Sequence, residues 1–330
     1  MNQEETDKIL KAGQIAKQVK EYAKTIIAKD KPLLEIAEQI EDKINELGGK
    51  PAFPTNLSIN DIAAHYTPTH NDETKAHGLL KVDIGVHVDG FIADTAFSVD
   101  LEDSEENKKL ILASQEALNN SLELINNTIN SEKDSQDNKS SAKKSDKVDF
   151  EANDFANASE QEMITTSQIG ETIQQTIESH DFSPIINLSG HSMEKFDLHA
   201  GVTIPNINDN RGEELTQGLY AIEPFATTGN GKVYNGKPSG IYSLQEVKNV
   251  RSPIAREILA LIDEDYQTLP FCSRWVVKKL GTKALFGLKQ LEQEGVLHQY
   301  PQLVEVSHKP VSQAEDTILI DKDNVKVTTN

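Results

Sequence analysis

The stretch LLKVDIGVHVDGFIADTAFSV, residues 79–99, decides the fold because it joins two alternating runs through a tight turn. The runs 79–88 and 91–99 are separated by Asp89-Gly90. Asp-Gly between alternating apolar residues is a strong signal of a β-hairpin. Because successive side chains of a strand point to opposite faces, the position of the loop also fixes which residues share a face.

Two aspartates share one face of this predicted hairpin. With Asp89-Gly90 as the loop, Gly85 faces Asp94, and Asp83 faces Ala96. Asp83 and Asp94 are then diagonal neighbours about 7–8 Å apart, and their carboxylates could converge on metal ions ~3.5–4 Å apart. The alternative is that both point into water, and the hairpin alone does not decide between the two. His87 is expected to be solvated or hydrogen-bonded.

Further polar residues stand where a core would be expected. Glu223 ends the apolar run 219–222, and Glu315 comes just before the strand-like run 317–320. A glutamate at the end of a buried strand needs a partner, and one divalent cation could serve both glutamates and the two aspartates. His191, His199 and His65 lie beside similar runs. Each of these residues alone is more often structural, so the prediction of a metal site rests on their joint occurrence.

Composition and charge exclude several classes of protein. The chain has 330 residues and a formal net charge of -20, which repels phosphate backbones and argues against nucleic-acid binding. One cysteine, Cys272, allows no intramolecular disulfide and is typical of a reducing compartment. No signal peptide and no apolar run of about 18 residues is present. We therefore expect a cytoplasmic monomer that does not insert into a membrane.

The chain alternates between helical and strand-like segments. Apolar periodicity predicts helices at 4–29, 104–127 and 166–180. Residues 131–160 are dominated by polar and charged residues, which predicts a disordered surface insertion. The mostly helical segment 253–306 is interpreted as a compact subdomain inserted into an α+β domain.

Nine motifs, in order, resemble those of the type II methionine aminopeptidases. The likeness covers nearly the whole chain except 131–160. It is carried by NLSIN (56–60), AAHYTP (63–68), DIGVH (83–87), FIADTA (91–96), NLSGHS (187–192), HAG (199–201), AIEPF (221–225), FCSRW (271–275) and QAEDTIL (313–319).

This resemblance implies an α+β pita-bread fold, the creatinase/aminopeptidase fold, built from two pseudo-symmetric halves. The catalytic domain would comprise 1–252 and 307–330. Segment 253–306 would be the inserted helical, winged-helix-like subdomain of type II members. The implied activity is removal of the N-terminal methionine from nascent proteins and peptides. Peptide N-termini that begin with Met would be the substrates, and the ribosome is a candidate partner.

The resemblance also implies roles for the site residues. Asp83 would hold one of two divalent ions (Co, Mn, Fe or Zn), His191 and Glu223 would complete the other, and Asp94 and Glu315 would bridge both. Glu223 would also act as general base.

Substrate contacts are implied in the same way. His199 would hydrogen-bond the scissile amide, and His65 would contact the substrate near the first peptide bond. The residues that resemble the methionine pocket are Phe53, Leu198, Phe225 and Tyr300. Two alternatives remain open: an X-Pro aminopeptidase of the same fold, and a pita-bread binding protein without catalytic activity.

Overall fold

The computed structural model describes residues 1–141, 163–321 and 324–330. The helices are α1 (Gln3–Ile26), α2 (Leu33–Glu46), α3 (Glu105–Ser141), α4 (Thr166–Ser179), α5 (Pro253–Leu261), α6 (Ser273–Leu280) and α7 (Ala284–Gln293), with a π-helical turn at Ile262–Tyr266. The strands are β1 (Lys50–Pro51), β2 (Asn56–Ile59), β3 (Ile62–Ala64), β4 (Leu79–Val88), β5 (Phe91–Asp100), β6 (Ser183–Pro184), β7 (Ser189–Met193), β8 (Thr203–Pro205), β9 (Gly218–Ile222), β10 (Phe225–Thr227), β11 (Val233–Leu244), β12 (Phe271–Cys272), β13 (Leu297–Glu305), β14 (Val311–Gln313), β15 (Asp316–Asp321) and β16 (Asn324–Val327).

The predicted hairpin is confirmed in both its strands and its register. β4 and β5 pair antiparallel, with Gly85 opposite Asp94 and Asp83 opposite Ala96. The loop residues have positive φ angles, 51° for Asp89 and 90° for the following glycine. A two-residue turn that matches the twist of the strands requires such angles at both positions.

Two antiparallel sheets are each covered by two helices. In the first, β1, β4 and β2 are neighbours, β5 adds to β4, and α1 and α2 pack on the side chains that include Ile84. In the second, the order is β16-β15-β9-β7-β8, and α3 and α4 pack on the side chains that include Ile318. The sheets meet where Ala96 and Glu315 exchange backbone hydrogen bonds. Asp83 and Asp94 therefore project from the face opposite α1 and α2, toward this junction.

The region 253–306 contains α5, α6 and α7, which share a hydrophobic cluster with side chains of β11 and β13. Strands β12 and β13 also lie in this region. Both pair with β11, and β13 pairs with β3 as well. The region is thus joined to the rest of the chain by backbone pairing as well as by side chains. Its separation from 1–252 and 307–330 as a subdomain stays a prediction.

Helix α3 is longer than the sequence predicts. The predicted helix ended near residue 127, where the apolar periodicity stops, but α3 runs through Ser141. A helix continues through its own backbone hydrogen bonds even where no apolar face requires it. The predicted disordered insertion at 131–160 stays a prediction, and its part 142–160 lies outside the described residues. Neither α3 nor another helix in the described part of the chain is long and apolar enough to cross a membrane.

Candidate metal centre

Five side chains from separate strands meet at the junction of the two sheets. Asp83 and Asp94 lie on β4 and β5, His191 lies on β7, Glu223 directly follows β9, and Glu315 directly precedes β15. Their ligand atoms form two groups, Asp94–His191–Glu315 and Asp83–Glu223–Glu315. Within each group all the atoms lie within 4.8 Å of one another. The hairpin aspartates therefore point into this junction, and the alternative in which they face open water is wrong.

The grouping differs in part from what the resemblance implies. Glu315 belongs to both groups, as a bridging ligand would, whereas Asp94 belongs to one. Glu223 lies with Asp83 rather than with His191. The amide of Gln313 contacts two of these carboxylates, because its Nε2 donates to Glu223 Oε1 at 2.7 Å and lies 3.5 Å from Asp83 Oδ2. This contact holds the Glu223 carboxylate beside Asp83.

Several polar atoms at the junction have no hydrogen-bond partner. Six buried side-chain atoms in the described residues are in this state, and four of them belong to the predicted ligands. Those four are Asp83 Oδ1, Asp94 Oδ1, His191 Nδ1 and Glu315 Oε1. A buried acceptor without a partner costs about 1–3 kcal/mol, and more when it is charged. Such a concentration of unpaired atoms indicates a site completed by something other than the chain.

The carboxyl groups of the cluster resist ionisation. Burial raises the pKa of Asp83 to about 7. Burial also raises the pKa of Asp94, with the charges of Asp83 and Glu223 adding to it. The pKa values of Glu223 and Glu315 are raised for the same two reasons, burial first and repulsion by neighbouring carboxylates second. A cation at the junction would reverse both effects.

The donor set fits divalent metal ions. Four carboxylates and one imidazole suit Mn, Co, Fe or Zn, because these ions accept oxygen and nitrogen ligands together. Burial lowers the pKa of His191 to about 3, so its imidazole is neutral and able to act as a ligand at neutral pH. The residues present therefore agree with the predicted metal site.

A cavity of about 220 Å³ opens beside the cluster. Its wall includes four of the five predicted ligands, all but Glu315. It also includes each residue that the sequence assigned to the substrate: His65, His199, Phe53, Leu198, Phe225 and Tyr300. The sequence missed other lining residues, among them Asn56, Ile241, Pro270 and Leu303. Of these, Asn56 alone lies in a motif of the resemblance, and the apolar three carried no signal that distinguished them from core residues.

Comparison with known proteins places the chain in a family. Residues 7–133 match the model of metallopeptidase family M24. The curated methionine aminopeptidase of Methanocaldococcus jannaschii is 40% identical over 326 residues, which is 98% of this chain and 98% of that protein. The methionine aminopeptidase of Pyrococcus abyssi is 41% identical over 332 residues, 98% of this chain and 99% of that protein.

The chain belongs to the methionine aminopeptidases of family M24. The family resemblance predicted from the motifs is confirmed, and so is the enzyme class, a metallo-aminopeptidase and hence a hydrolase.

Solved structures confirm the fold of this family M24 chain. The methionine aminopeptidase of Thermotoga maritima superposes with a TM-score of 0.64 at 20% identity, covering 100% of this chain and 98% of that one. A thermophilic Arx1 superposes with a TM-score of 0.79 at 17% identity, covering 99% of this chain and 91% of that one. At such identities the likeness concerns the fold alone. The predicted α+β pita-bread fold is confirmed.

Two more histidines of this M24 enzyme line the cavity. The ring of His199 lies 4.4 Å from that of His191, centroid to centroid. His65 Nδ1 lies 3.1 Å from the carbonyl oxygen of Pro301, and its ring meets Tyr300 edge-on at 5.6 Å. Burial lowers the pKa of His65 to about 4 and also lowers the pKa of His199. Both imidazoles are therefore neutral at physiological pH.

A second layer of polar contacts supports the ligand strands from behind. Lys20 Nζ donates to Asp316 Oδ1 at 2.7 Å and to Thr95 Oγ1 at 2.9 Å. Thr329 Oγ1 donates to the same aspartate oxygen at 2.8 Å. The Thr317 hydroxyl bonds both the backbone N–H and the carbonyl of Asp94. The sequence did not predict this layer, although four of its five residues stand in or beside the FIADTA and QAEDTIL motifs or at the chain end.

His87 and Cys272 are structural residues. His87 is buried, its Nδ1 accepts a hydrogen bond from Gly90 N at 3.1 Å, and its ring meets Phe196 edge-on. The prediction of a hydrogen-bonded histidine is thus confirmed, and the solvated alternative is wrong. Cys272 is a buried free cysteine, and burial raises the pKa of its thiol to about 12. An un-ionised thiol is a poor nucleophile, as expected for a core residue.

Proposed function

We propose that this enzyme removes the N-terminal methionine from proteins and peptides with the help of two divalent metal ions. The ions would be held by Asp83, Asp94, His191, Glu223 and Glu315. The observation that carries the proposal is the meeting of unpaired ligand atoms and an apolar wall in one cavity. The curated methionine aminopeptidases that resemble the chain over nearly its whole length support the same activity.

The metals are Mn, Co, Fe or Zn, as the mixed carboxylate and imidazole set favours. When bound, they supply a Lewis acid that lowers the pKa of water, so that hydroxide forms near neutral pH. Two ions rather than one are favoured because Glu315 takes part in both groups of ligand atoms.

Glu223 is the proton-transfer group. Its carboxylate accepts a proton from the attacking water and delivers it to the nitrogen of the amine that leaves. The hydrogen bond from Gln313 Nε2 to Glu223 Oε1 limits the rotation of this carboxylate. A fixed orientation favours proton transfer because the group does not have to be reoriented during the reaction.

His199 and His65 orient the peptide. His199 donates a hydrogen bond to the scissile amide as charge develops on its oxygen. His65 keeps Nδ1–H on the Pro301 carbonyl, which leaves Nε2 as an acceptor for a substrate N–H near the first peptide bond. Both roles need a neutral imidazole, which the burial of each ring favours.

The methionine side chain enters the apolar part of the cavity. Its wall consists of Phe53, Leu198, Phe225 and Tyr300. A thioether makes favourable contacts with aromatic rings and adapts to irregular apolar space. The phenyl ring of Phe53 lies where a side chain at Gly85 would be, 2.3 Å from the ideal Cβ position. Glycine at this position of β4 is therefore required for the aromatic wall.

The enzyme acts in the cytoplasm, as a monomer, on chains that begin with Met, and the ribosome is a candidate partner. Its single, buried, free cysteine is typical of a reducing compartment. The net charge of -20 disfavours contact with nucleic acid.

A peptide panel on protein of defined metal content tests the proposal. We expect release of methionine from Met-Ala-Ser, little cleavage of Ala-Pro peptides, loss of activity on exhaustive chelation and recovery on adding Mn, Co, Fe or Zn. Full activity after chelation would contradict metal dependence. Faster cleavage of Ala-Pro peptides would indicate an X-Pro aminopeptidase, and protein that binds no metal would indicate a non-catalytic binding protein.

A further inference from the structure

Asn56 has an unpaired polar atom in the wall of the cavity. The residue lies on β2, its side chain is 5% exposed, and its Oδ1 has no hydrogen-bond partner. Apart from the predicted metal ligands, only one other residue in the described part of the chain has a buried side-chain atom in this state. An unpaired buried carbonyl loses its bonds to water and gains nothing in return. The proposed metal site does not explain this atom, because an amide is not among the five ligands.

Two other asparagines near the cavity use both ends of their amides within the protein. Asn187 Nδ2 donates to Val233 O at 2.8 Å, and its Oδ1 accepts from Val233 N at 2.9 Å. Asn206 Nδ2 donates to Leu188 O at 2.9 Å, and its Oδ1 accepts from Phe225 N at 3.3 Å. These two residues are structural, and Asn56 differs from both in having a free acceptor.

The orientation of the Asn56 amide follows from its neighbour. Asn56 and Asp83 are directly opposite each other on β2 and β4, so their side chains are adjacent on one face. A carboxylate accepts hydrogen bonds, so the donating end of the amide is the one that suits Asp83. Only the NH₂ end of an amide can donate. The nitrogen therefore faces Asp83, and the oxygen is left as an acceptor in the wall of the cavity.

An acceptor beside Asp83 matches one group of the proposed substrate. A peptide that is cut after its first residue carries its free α-amino group one carbon from the carbonyl that reacts. The carboxylates near that carbonyl are the predicted metal ligands, and the amides of Asn187 and Asn206 are already paired. Asn56 Oδ1 is the side-chain amide oxygen of the cavity wall that remains free to accept an N–H.

We propose that Asn56 Oδ1 accepts a hydrogen bond from the α-amino group of the substrate, and so makes the enzyme select peptides with a free N-terminus. The inference rests on the proposed function, since it assumes that methionine occupies the cavity. The Asn56 amide would then join two groups, with its nitrogen on Asp83 and its oxygen on the substrate amine.

Calorimetry with two ligands that differ only in the amine tests this role on the metal-loaded protein. The ligands are methionine and 4-(methylthio)butanoate, which lacks the α-amino group. We expect Asn56→Ala to weaken methionine binding about 10- to 100-fold, the loss typical of a hydrogen bond to a charged group. Binding of the desamino compound should change less than about threefold. Metal is kept in saturating excess and its content is measured on each sample, so that a changed metal affinity does not enter the comparison.

A second variant separates the two ends of the amide. Asn56→Asp keeps an oxygen acceptor but removes the donor to Asp83, so it should retain the preference for methionine over the desamino compound. If Asn56→Ala weakens both ligands equally, or if Asn56→Asp loses the preference, the residue acts through Asp83 and the inference is wrong. Wild-type protein that binds methionine without preferring it to the desamino compound overturns the inference alone. Wild-type protein that binds neither ligand overturns the proposed function with it.

Discussion

The Arg274–Glu41 pair and the candidate metal centre are both buried clusters of charge, but the chain balances only the first with its own groups. Arg274 on α6 binds Glu41 on α2 through two nitrogens, at 2.7 and 2.8 Å. Its Nε donates to the Pro68 carbonyl, and Trp275 Nε1 and Thr55 N donate to the same glutamate. One positive charge thus meets one negative charge, and both are fully bonded.

The candidate metal centre has four carboxylates and a neutral imidazole, with unpaired atoms on four of these five residues. Lys20, a buried cation behind the ligand strands, is committed to Asp316. The difference teaches how to separate a structural cluster from a binding site in one molecule. A buried charge that the chain itself completes contributes to the fold, whereas one that it leaves incomplete requires a ligand.

The largest effect should come from changing the proton-transfer group of the incomplete cluster. We expect Glu223→Gln to lower kcat for Met-Ala-Ser by about 10²- to 10⁴-fold, the range for loss of a general base. The melting temperature of the metal-free protein should not fall, because one of the repelling carboxylates is removed. Glu292→Gln, at an exposed position, is the matched control and should keep full activity. Near-normal turnover of Glu223→Gln would reject the role of this residue.

Removing the cation of the balanced cluster should act on stability instead. Arg274→Met leaves Glu41 buried without its counter-charge, so we expect the free energy of unfolding to fall by about 3–5 kcal/mol. Metal content and kcat per folded molecule should remain at wild-type values. Denaturant titration, metal analysis and kinetics on the same samples measure the three quantities.

A compensating change refines this second prediction. Glu41→Gln added to Arg274→Met removes the unpaired charge and keeps an acceptor for one of the two remaining donors, Trp275 Nε1 or Thr55 N, so the double variant should be more stable than Arg274→Met alone. Loss of metal in the single variant would show that the two clusters are coupled, and would contradict their separation.

Sequence reasoning reached part of this comparison. The faces of Asp83 and Asp94 could be predicted because the Asp-Gly turn fixes the register and side chains alternate strictly. The meeting of these residues with His191, Glu223 and Glu315 required the motifs of a family, since no local rule brings separate strands together. The Arg274–Glu41 and Lys20–Asp316 pairs were not predicted. Their partners are 233 and 296 positions apart, and a single lysine or arginine on a helix gives no sign of its partner.

The boundary of α3 shows the opposite limit. The sequence judged 131–141 by its lack of apolar residues, yet the helix continues there. Apolar periodicity indicates which helix face meets a core, and the end of that pattern does not mark the end of the backbone hydrogen bonding. The apolar part of the cavity wall could not be predicted for a related reason. Ile241 and Leu303 are apolar, and an apolar residue looks the same in the sequence whether it faces a ligand or a neighbouring side chain.

Metal should stabilise the incomplete cluster more strongly as the pH rises. In the metal-free protein the carboxyl pKa values are raised, to about 7 for Asp83, so the folded state holds protons that the unfolded state has released. Their contribution to stability is complete at acid pH and is lost as the pH rises through the folded-state pKa values. Metal ions bind the ionised carboxylates, so they offset this loss.

We therefore expect the gap in unfolding free energy between Mn-loaded and chelated protein to widen from pH 6 to pH 8. Each proton that the metal displaces adds about 1.4 kcal/mol per pH unit. Titrating groups outside the site, such as Lys81, contribute equally to both samples and cancel. A gap that is constant with pH would contradict protonated carboxyl groups at the junction.

The smallest effect should come from the layer behind the ligands, which combines properties of both clusters. Like the Arg274 pair, it is balanced, because Lys20 meets Asp316 and Thr329 Oγ1 completes the bonding. Like the metal centre, it touches the ligands, because Asp316 follows Glu315 and the backbone N–H of Thr317 donates to Thr329. Thr329→Val keeps the shape and removes both hydrogen bonds of the hydroxyl, so we expect a loss of about 1–3 kcal/mol in stability.

The affinity for Mn shows whether this layer positions a metal ligand or only stabilises the fold. If the layer positions Glu315, Thr329→Val should weaken Mn binding about tenfold, the lower end of the range for residues that orient metal ligands. Thr25→Val, which removes an exposed hydroxyl on α1, is the matched control and should change neither quantity. Should stability fall while Mn affinity stays constant, the layer is structural in the way that the Arg274 pair is. In that case only the ligands themselves would belong to the binding site, because contacts one residue away from Glu315 would not affect how it binds a metal.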